Sequence, residues 1–355
     1  MLRVAALGEV LSSGEGASLR GTLFADYASY KLGMTIRRGP EVLVLGSSRV
    51  MHTRAALFSR CASARCFYNA GGGMPDLKTG LQFFRELVRA GAAPRVLMVG
   101  VDTWDFNAGF APVGTDAAEP VRRVGVDGLR YALAAAVDTL MLAPSEPAIR
   151  DLLVGRTEVP PGVTGIAAIT AGSGFRPDGS YVYSRRDMAA FTSAPGRDPV
   201  GYADVVRRCG NHFECPARGP DQRAVGYLTE LFALARDAGT AVVVYTPVFA
   251  DEVAAAIDAA QPRVLPETDR IVSAAASRFG FPFFAVKTGA DLGCERTEFF
   301  DGTHGSEVCD ARLLLRMLAD PRIAEILGPY ASAEAIRALV DARASPLLLL
   351  REGGT

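Results

Sequence analysis

Four short apolar runs, each beside a segment of helical apolar spacing, constrain the fold of this chain more than any other feature. "EVLVLG" (41–46) ends in glycine and runs into "SSRVMHTRAALFSR", whose apolar residues are spaced for a helix. "PRVLMVGVD" (94–102) follows the amphipathic "LKTGLQFFRELVRAG", and "TAVVVYTP" (240–247) follows "QRAVGYLTELFALARDAG". "FPFFAV" (281–286), a weaker run, follows "DRIVSAAASRFG". Apolar runs of strand length alternating with helices demand crossover connections, and therefore a parallel sheet covered on both faces. The expected fold is a three-layer α/β/α domain with a flavodoxin-like parallel sheet. In such a sheet ligands bind beyond the carboxyl ends of the strands, so that edge is where chemistry is sought.

Between about 108 and 219 the alternation breaks. The helical "GLRYALAAAVDTLMLA" leads into "VPPGVTG", "GSGFRPDGSYVY" and "SAPGRDPVG", too long for a loop and read as an irregular or helical insertion, a lid or subdomain. The organisation expected is an N-terminal extension over 1–39, an α/β domain over 40–330 and a helical tail over 331–355. That tail contains "SAEAIRALVDA" and an exposed-looking "PLLLL".

Composition narrows the function classes. Of the 355 residues 49% are hydrophobic and 22% charged, with a net charge of −1, the profile of a well-cored protein with no basic footprint for nucleic acid. No apolar run reaches the roughly 18–20 residues that span a bilayer. "MLRVAALGEVL" is too short and too weakly apolar for a signal peptide, so the chain as written carries no address. The six cysteines fall into local pairs, Cys61/Cys66, Cys209/Cys215 and Cys294/Cys309, with no C-x-x-C spacing. Disulfides in an oxidising compartment and reduced, half-buried thiols fit this pattern equally.

Candidate chemistry sits where the apolar runs end. Ser47 and Ser48 follow the first run in "LGSSR", where a strand-to-helix turn offers N–H groups that favour developing negative charge. "YNAGGGMPD" (68–76) lets the backbone approach a ligand closely. "VGVDTWDFN" (99–107) carries the only tryptophan, Trp104, among Asp102, Thr103, Asp105 and Asn107. "FFDGTHG" (299–305) puts Asp301 three residues before His304, so that one turn of backbone can hold a carboxylate against an imidazole. His52, in the expected first helix, and His212, between two cysteines, lack such a partner and are read as structural.

Taken in order along the chain, these motifs resemble those of the SGNH (GDSL-like) hydrolase superfamily. "GSSR" matches its first block, with Ser48 at the nucleophile position and Ser47 replacing the usual Asp. "NAGGG" matches the second, with Gly71 as the oxyanion glycine, and "FFDGTH" matches the last, with Asp301 and His304. The third block departs from Gly-x-Asn-Asp: Gly100 is followed by Val-Asp-Thr, and the nearest amide is Asn107. The resemblance runs from about 40 to 320 and implies a Ser48–His304–Asp301 triad with oxyanion donors at Ser48, Gly71 and Asn107, and neither cofactor nor metal. Ser47, Arg49, Asp102 and Trp104 are candidate substrate contacts, as are Arg176, Asp178 and Tyr181 in the insertion.

The "GSS" variant looks like the branch containing D-alanyl-lipoteichoic acid biosynthesis hydrolases and alginate O-acetylation proteins. That branch implies acylated carbohydrate or a small ester as substrate, a membrane acyltransferase as possible partner, and an extracytoplasmic location, commonly behind an N-terminal anchor. Under that reading the sequence begins later than the native start. Hydrolysis and acyl transfer both remain open, as does a catalytically inactive module of the same fold that binds polysaccharide or scaffolds an acylation system. A nucleotide binder fits the sheet, but the chain has no G-x-G-x-x-G or P-loop sequence.

Overall fold

The computed structural model describes residues 27–63, 65–107, 174–193, 201–213 and 219–350. In chain order the first elements are α1 (Tyr27–Arg38), β1 (Val42–Gly46), 3-10 turns at Ser48–Val50 and Ala55–Leu57, β2 (Phe67–Gly71), α2 (Leu77–Arg89), β3 (Val96–Gly100) and a 3-10 turn at Thr103–Phe106. The strands β4 (Gly174–Phe175) and β5 (Tyr181–Val182) precede α3 (Arg185–Ser193), α4 (Tyr202–Arg207), α5 (Gln222–Asp237), β6 (Ala241–Tyr245), α6 (Asp251–Ala260) and α7 (Val264–Arg278). Last come β7 (Phe283–Phe284), α8 (Gly289–Leu292), α9 (Glu307–Met317), α10 (Pro321–Leu327) and α11 (Ala333–Asp341).

The sheet has the order β2-β1-β3-β6-β7, and every pairing in it is parallel. This is the flavodoxin-like order, with its switch point between β1 and β3. Alternation along the strands divides the core. Leu43, Leu45, Leu97, Val99, Val242 and Val244 face α1, α2, α5 and α7, whereas Val42, Val44, Val96, Met98 and Val243 face α9, α10 and α11. Each such side chain, once fully buried, stabilises the fold by about 1.5–3 kcal/mol. The sheet is therefore covered on both faces, which makes the domain a three-layer α/β/α fold.

Several local expectations are corrected. The segment after β1 forms two 3-10 turns rather than a helix. Gly100 lets this segment fold back onto the strand ends, since a Cβ there would lie 2.5 Å from a Val50 methyl. Residues 27–38 are no appendage, because α1 sends Tyr30, Leu32 and Met34 into the core and buries Lys31 completely. The Lys31 ammonium reaches the carbonyls of Asn69 and Gly179 and lies 3.7 Å from the centre of the Phe175 ring. In "PLLLL", Leu347 and Leu349 are buried, and Leu349 N–H donates to Glu307 at 3.1 Å.

The expected helix at 128–143, "VPPGVTG" and most of "SAPGRDPVG" lie outside the described residues. The described part of "GSGFRPDGSYVY" is the antiparallel β4–β5 hairpin, clamped onto the core: Asn69 N–H donates to Asp178 O, and Tyr181 N–H to Met51 O. Cys61–Cys66 and Cys294–Cys309 are disulfides, and Cys209 is disulfide-bonded as well. Cys215 lies outside the described residues. No helix among those described is long and apolar enough to cross a membrane.

Candidate active site

Strands β1, β2, β3 and β6 deliver their following loops to one edge of the sheet, and the turn after α8 joins them there. Ser47 caps the turn after β1: its Oγ accepts the Arg49 N–H at 3.2 Å, and its carbonyl accepts the Gly72 N–H at 2.9 Å. It is buried and structural, not a substrate contact. The cap leaves Ser48 exposed at the apex.

Across the edge, Asp301 organises its own turn. Its Oδ1 accepts from Thr303 N–H at 2.7 Å, His304 N–H at 2.8 Å and Thr303 Oγ1 at 3.1 Å. The other oxygen, Oδ2, lies 2.8 Å from His304 Nδ1. A bridge between Phe299 and Gly305 closes the turn, and Phe300 N–H donates to His304 O at 3.0 Å. Burial on its own pushes the Asp301 carboxyl up, but His304 and the hydrogen bonds from the turn outweigh it, holding the group well below the carboxylate range. Asp301 is thus an anion poised beside the imidazole.

His304 Nε2 lies 2.8 Å from Ser48 Oγ, across 256 residues of sequence. Nδ1 is surrounded by oxygen acceptors, which favours its carrying the ring proton and leaves the Nε2 lone pair facing the serine hydroxyl. The chain of contacts Ser48–His304–Asp301 therefore has the connectivity of a nucleophile, base and orienting carboxylate.

The oxyanion residues fall differently from expectation. The Gly71 N–H is donated to Asn69 Oδ1 at 2.7 Å, so it does not point toward an oxyanion. What Gly71 supplies is clearance, because a Cβ there would lie 2.9 Å from the Met51 backbone. Asn107 is half-buried, and its backbone is bridged to Pro220. The Ser48 N–H has no acceptor among the described residues and stands free at the turn.

Other candidates support the site from beneath or beside it. Arg49 is buried, donating to Thr303 O at 3.0 Å, Asp102 Oδ1 at 2.9 Å, Pro247 O at 2.7 Å and Val248 O at 2.7 Å. Asp102 is likewise buried, so neither touches substrate. Trp104 is buried under His212, with ring centres 5.0 Å apart. Arg176 is tied to Glu307 at 3.1 Å, and Asp178 accepts the Ala55 N–H at 2.9 Å. Tyr181 packs edge-on against Phe175. Arg176 and Asp178 hold the hairpin to the core, as does the bond from Tyr181 N–H to Met51 O.

Sequence reasoning passed over three groups. Thr303 Oγ1 lies 3.1 Å from His304 Nδ1 as well as bonding Asp301; it stands between them in "DGTH", which is the signal that marks it. His52 is buried against Phe300 at 4.5 Å, its imidazole pulled down to about 3 by burial and by His304 nearby. His212, also pulled down by burial, feels both Asp102 and His304. Both histidines set aside as structural are therefore electrostatic neighbours of His304. No spacing in the sequence reveals this, because they arrive from separate loops. Among the described residues, no group of three or more His, Cys, Asp or Glu side chains is arranged to hold a metal. No protein-family model matches the chain, and neither a curated protein nor a solved structure matches it.

Proposed function

We propose that this chain is an SGNH-type serine esterase or O-acyltransferase acting on acyl esters of carbohydrate through an acyl-enzyme. The observation that carries the reading is the 2.8 Å contact of Ser48 Oγ with His304 Nε2, backed by the 2.8 Å contact of His304 Nδ1 with Asp301. His304 takes the Ser48 proton as Oγ bonds to the ester carbonyl carbon. Asp301 holds the ring tautomer and balances the imidazolium charge. The free Ser48 N–H donates to the oxyanion, a contribution of about 3 kcal/mol to the barrier. Collapse breaks the bond to the leaving alcohol, which receives the proton from His304. Water then yields a free acid, whereas a sugar hydroxyl yields a new ester; a membrane acyltransferase is a partner consistent with the second route.

The reading is tested by p-nitrophenyl acetate turnover, followed by assays on acetylated sugars with and without an acceptor glycan. Ser48→Ala is expected to lower turnover by at least about 10³-fold. Unchanged turnover would overturn it.

One observation favours a second reading, an inactive module that binds polysaccharide or scaffolds an acylation system. Gly71 N–H is engaged by Asn69, so one expected oxyanion donor is otherwise occupied. Glycan binding unaffected by Ser48→Ala, without ester turnover, would support that reading.

A further inference from the structure

Resting on the triad reading above, we propose that Arg49 and Asp102 form a positioning pair. Arg49 fixes the distance between the nucleophile turn and the His304 turn, and Asp102 balances its charge beside the base.

The placement of the guanidinium carries the argument. Arg49 directly follows Ser48, and its Nε bonds the carbonyl of Thr303, the residue directly before His304. The strut therefore joins the immediate chain neighbours of the two reacting groups. Its remaining bonds reach Asp102 in the loop after β3 and the carbonyls of Pro247 and Val248 in the loop after β6. One rigid planar group thus links the loops that follow β1, β3 and β6 with the turn that carries His304. The guanidinium carbon also lies 3.8 Å from the centre of the Phe249 ring and 5.3 Å from Trp104, which prevents the fork from turning. A lysine ammonium, a single point charge, cannot satisfy this fork. With Arg49 buried, the pair acts through the turns and not on substrate.

The charge also matters to the base. Asp301 shares a turn with His304, Arg49 feels both Asp102 and Asp301, and His52 (which also feels Arg176) and His212 each feel His304. Burial, with Asp102 nearby, pushes the Asp105 carboxyl well above its ordinary value, and the carboxylate bonded to Arg49 is that of Asp102. Without Arg49, the Asp102 anion favours the imidazolium. Without the Asp102 charge, Arg49 disfavours it.

The test is the pH dependence of p-nitrophenyl acetate turnover in the full chain, with thermal unfolding measured alongside. Arg49→Lys is expected to lower kcat by about 10²-fold, as a misplacement near 1 Å does, with little change in KM. In Arg49→Gln the acid limb of the kcat/KM profile should move to higher pH, and in Asp102→Asn to lower pH, each by about one unit. Should Arg49→Gln fail to fold, Arg49→Lys and Asp102→Asn carry the test. Full kcat in Arg49→Lys, or equal loss at every pH with neither limb displaced, would overturn the positioning role while leaving a Ser48-dependent activity standing. Turnover that survives Ser48→Ala would instead overturn the triad reading, and the pair's role with it.

Discussion

Cys294 and Cys309 are joined by a disulfide, and the loop it closes contains both Asp301 and His304. Cys309 lies in the first turn of α9, while Cys294 follows α8, so the bond anchors the turn at its base. Closing a loop of this size restricts the unfolded chain by about 3 kcal/mol. Replacing both cysteines by serine is expected to lower the melting temperature by roughly 3–5 °C and to lower ester turnover with it. The Cys61–Cys66 bond precedes β2, at the opposite end of the sheet from Ser48. Its removal should cost stability without comparable loss of kcat. Calorimetry and kinetics on the two double variants check this, and equal turnover in both would contradict the anchoring role.

Asn69 provides a second test, on the Ser48 side. Fully buried, it donates to Val50 O at 2.8 Å and Thr53 O at 2.9 Å, and accepts the Gly71 N–H. Asn69→Leu would leave Thr53 O and Gly71 N–H unmatched, and Val50 O with only its 3.4 Å bond from Thr53 N–H, at about 1–3 kcal/mol for each buried group left unmatched. Chemical denaturation is expected to show a loss of at least about 2 kcal/mol, together with reduced turnover as the turn behind Ser48 loosens. Stability within about 1 kcal/mol of the parent would be inconsistent with this geometry.

That strand was also the hardest part of the fold to read. β1, β3 and β6 were legible because unbroken runs of apolar residues, mostly Val and Leu, fill them. β2, "FYNAG", has Asn and Gly at buried positions, and its polar centre is compatible with a strand only because distant carbonyls satisfy the Asn69 amide. The helical spacing after β1 misled for a similar reason. Val50 and Met51 are buried by packing onto strand ends, not along one helix face. Ser48, Asp301 and His304 were legible from their motifs. The Arg49 strut was not, since its acceptors are mostly backbone carbonyls from three loops that no side-chain pattern encodes.

Buried titrating groups give stability opposite slopes in pH. His52 is pulled down to about 3, so the folded state resists its protonation; its contribution is lost as pH falls from about 6.5 toward that value. Burial raises the Asp310 carboxyl to about 7, so the folded state holds a proton that the unfolded chain releases, and stability declines as pH rises from about 4 to 7. His52→Phe should therefore flatten the acid side of the stability profile, and Asp310→Asn the side between pH about 4 and 7. Asp310→Asn is expected to raise stability at pH 8 by roughly 2–4 kcal/mol. Denaturation midpoints measured across pH decide the matter, and parallel profiles for parent and variants would contradict both assignments.

The central claim is that Ser48 is a nucleophile activated by His304. It is tested most directly by treating the folded protein with a fluorophosphonate and mapping the adduct by mass spectrometry. The account predicts one adduct, on Ser48, lost in Ser48→Ala and strongly slowed in His304→Ala. An unlabelled protein, or a Ser48 adduct formed equally fast without His304, would contradict it.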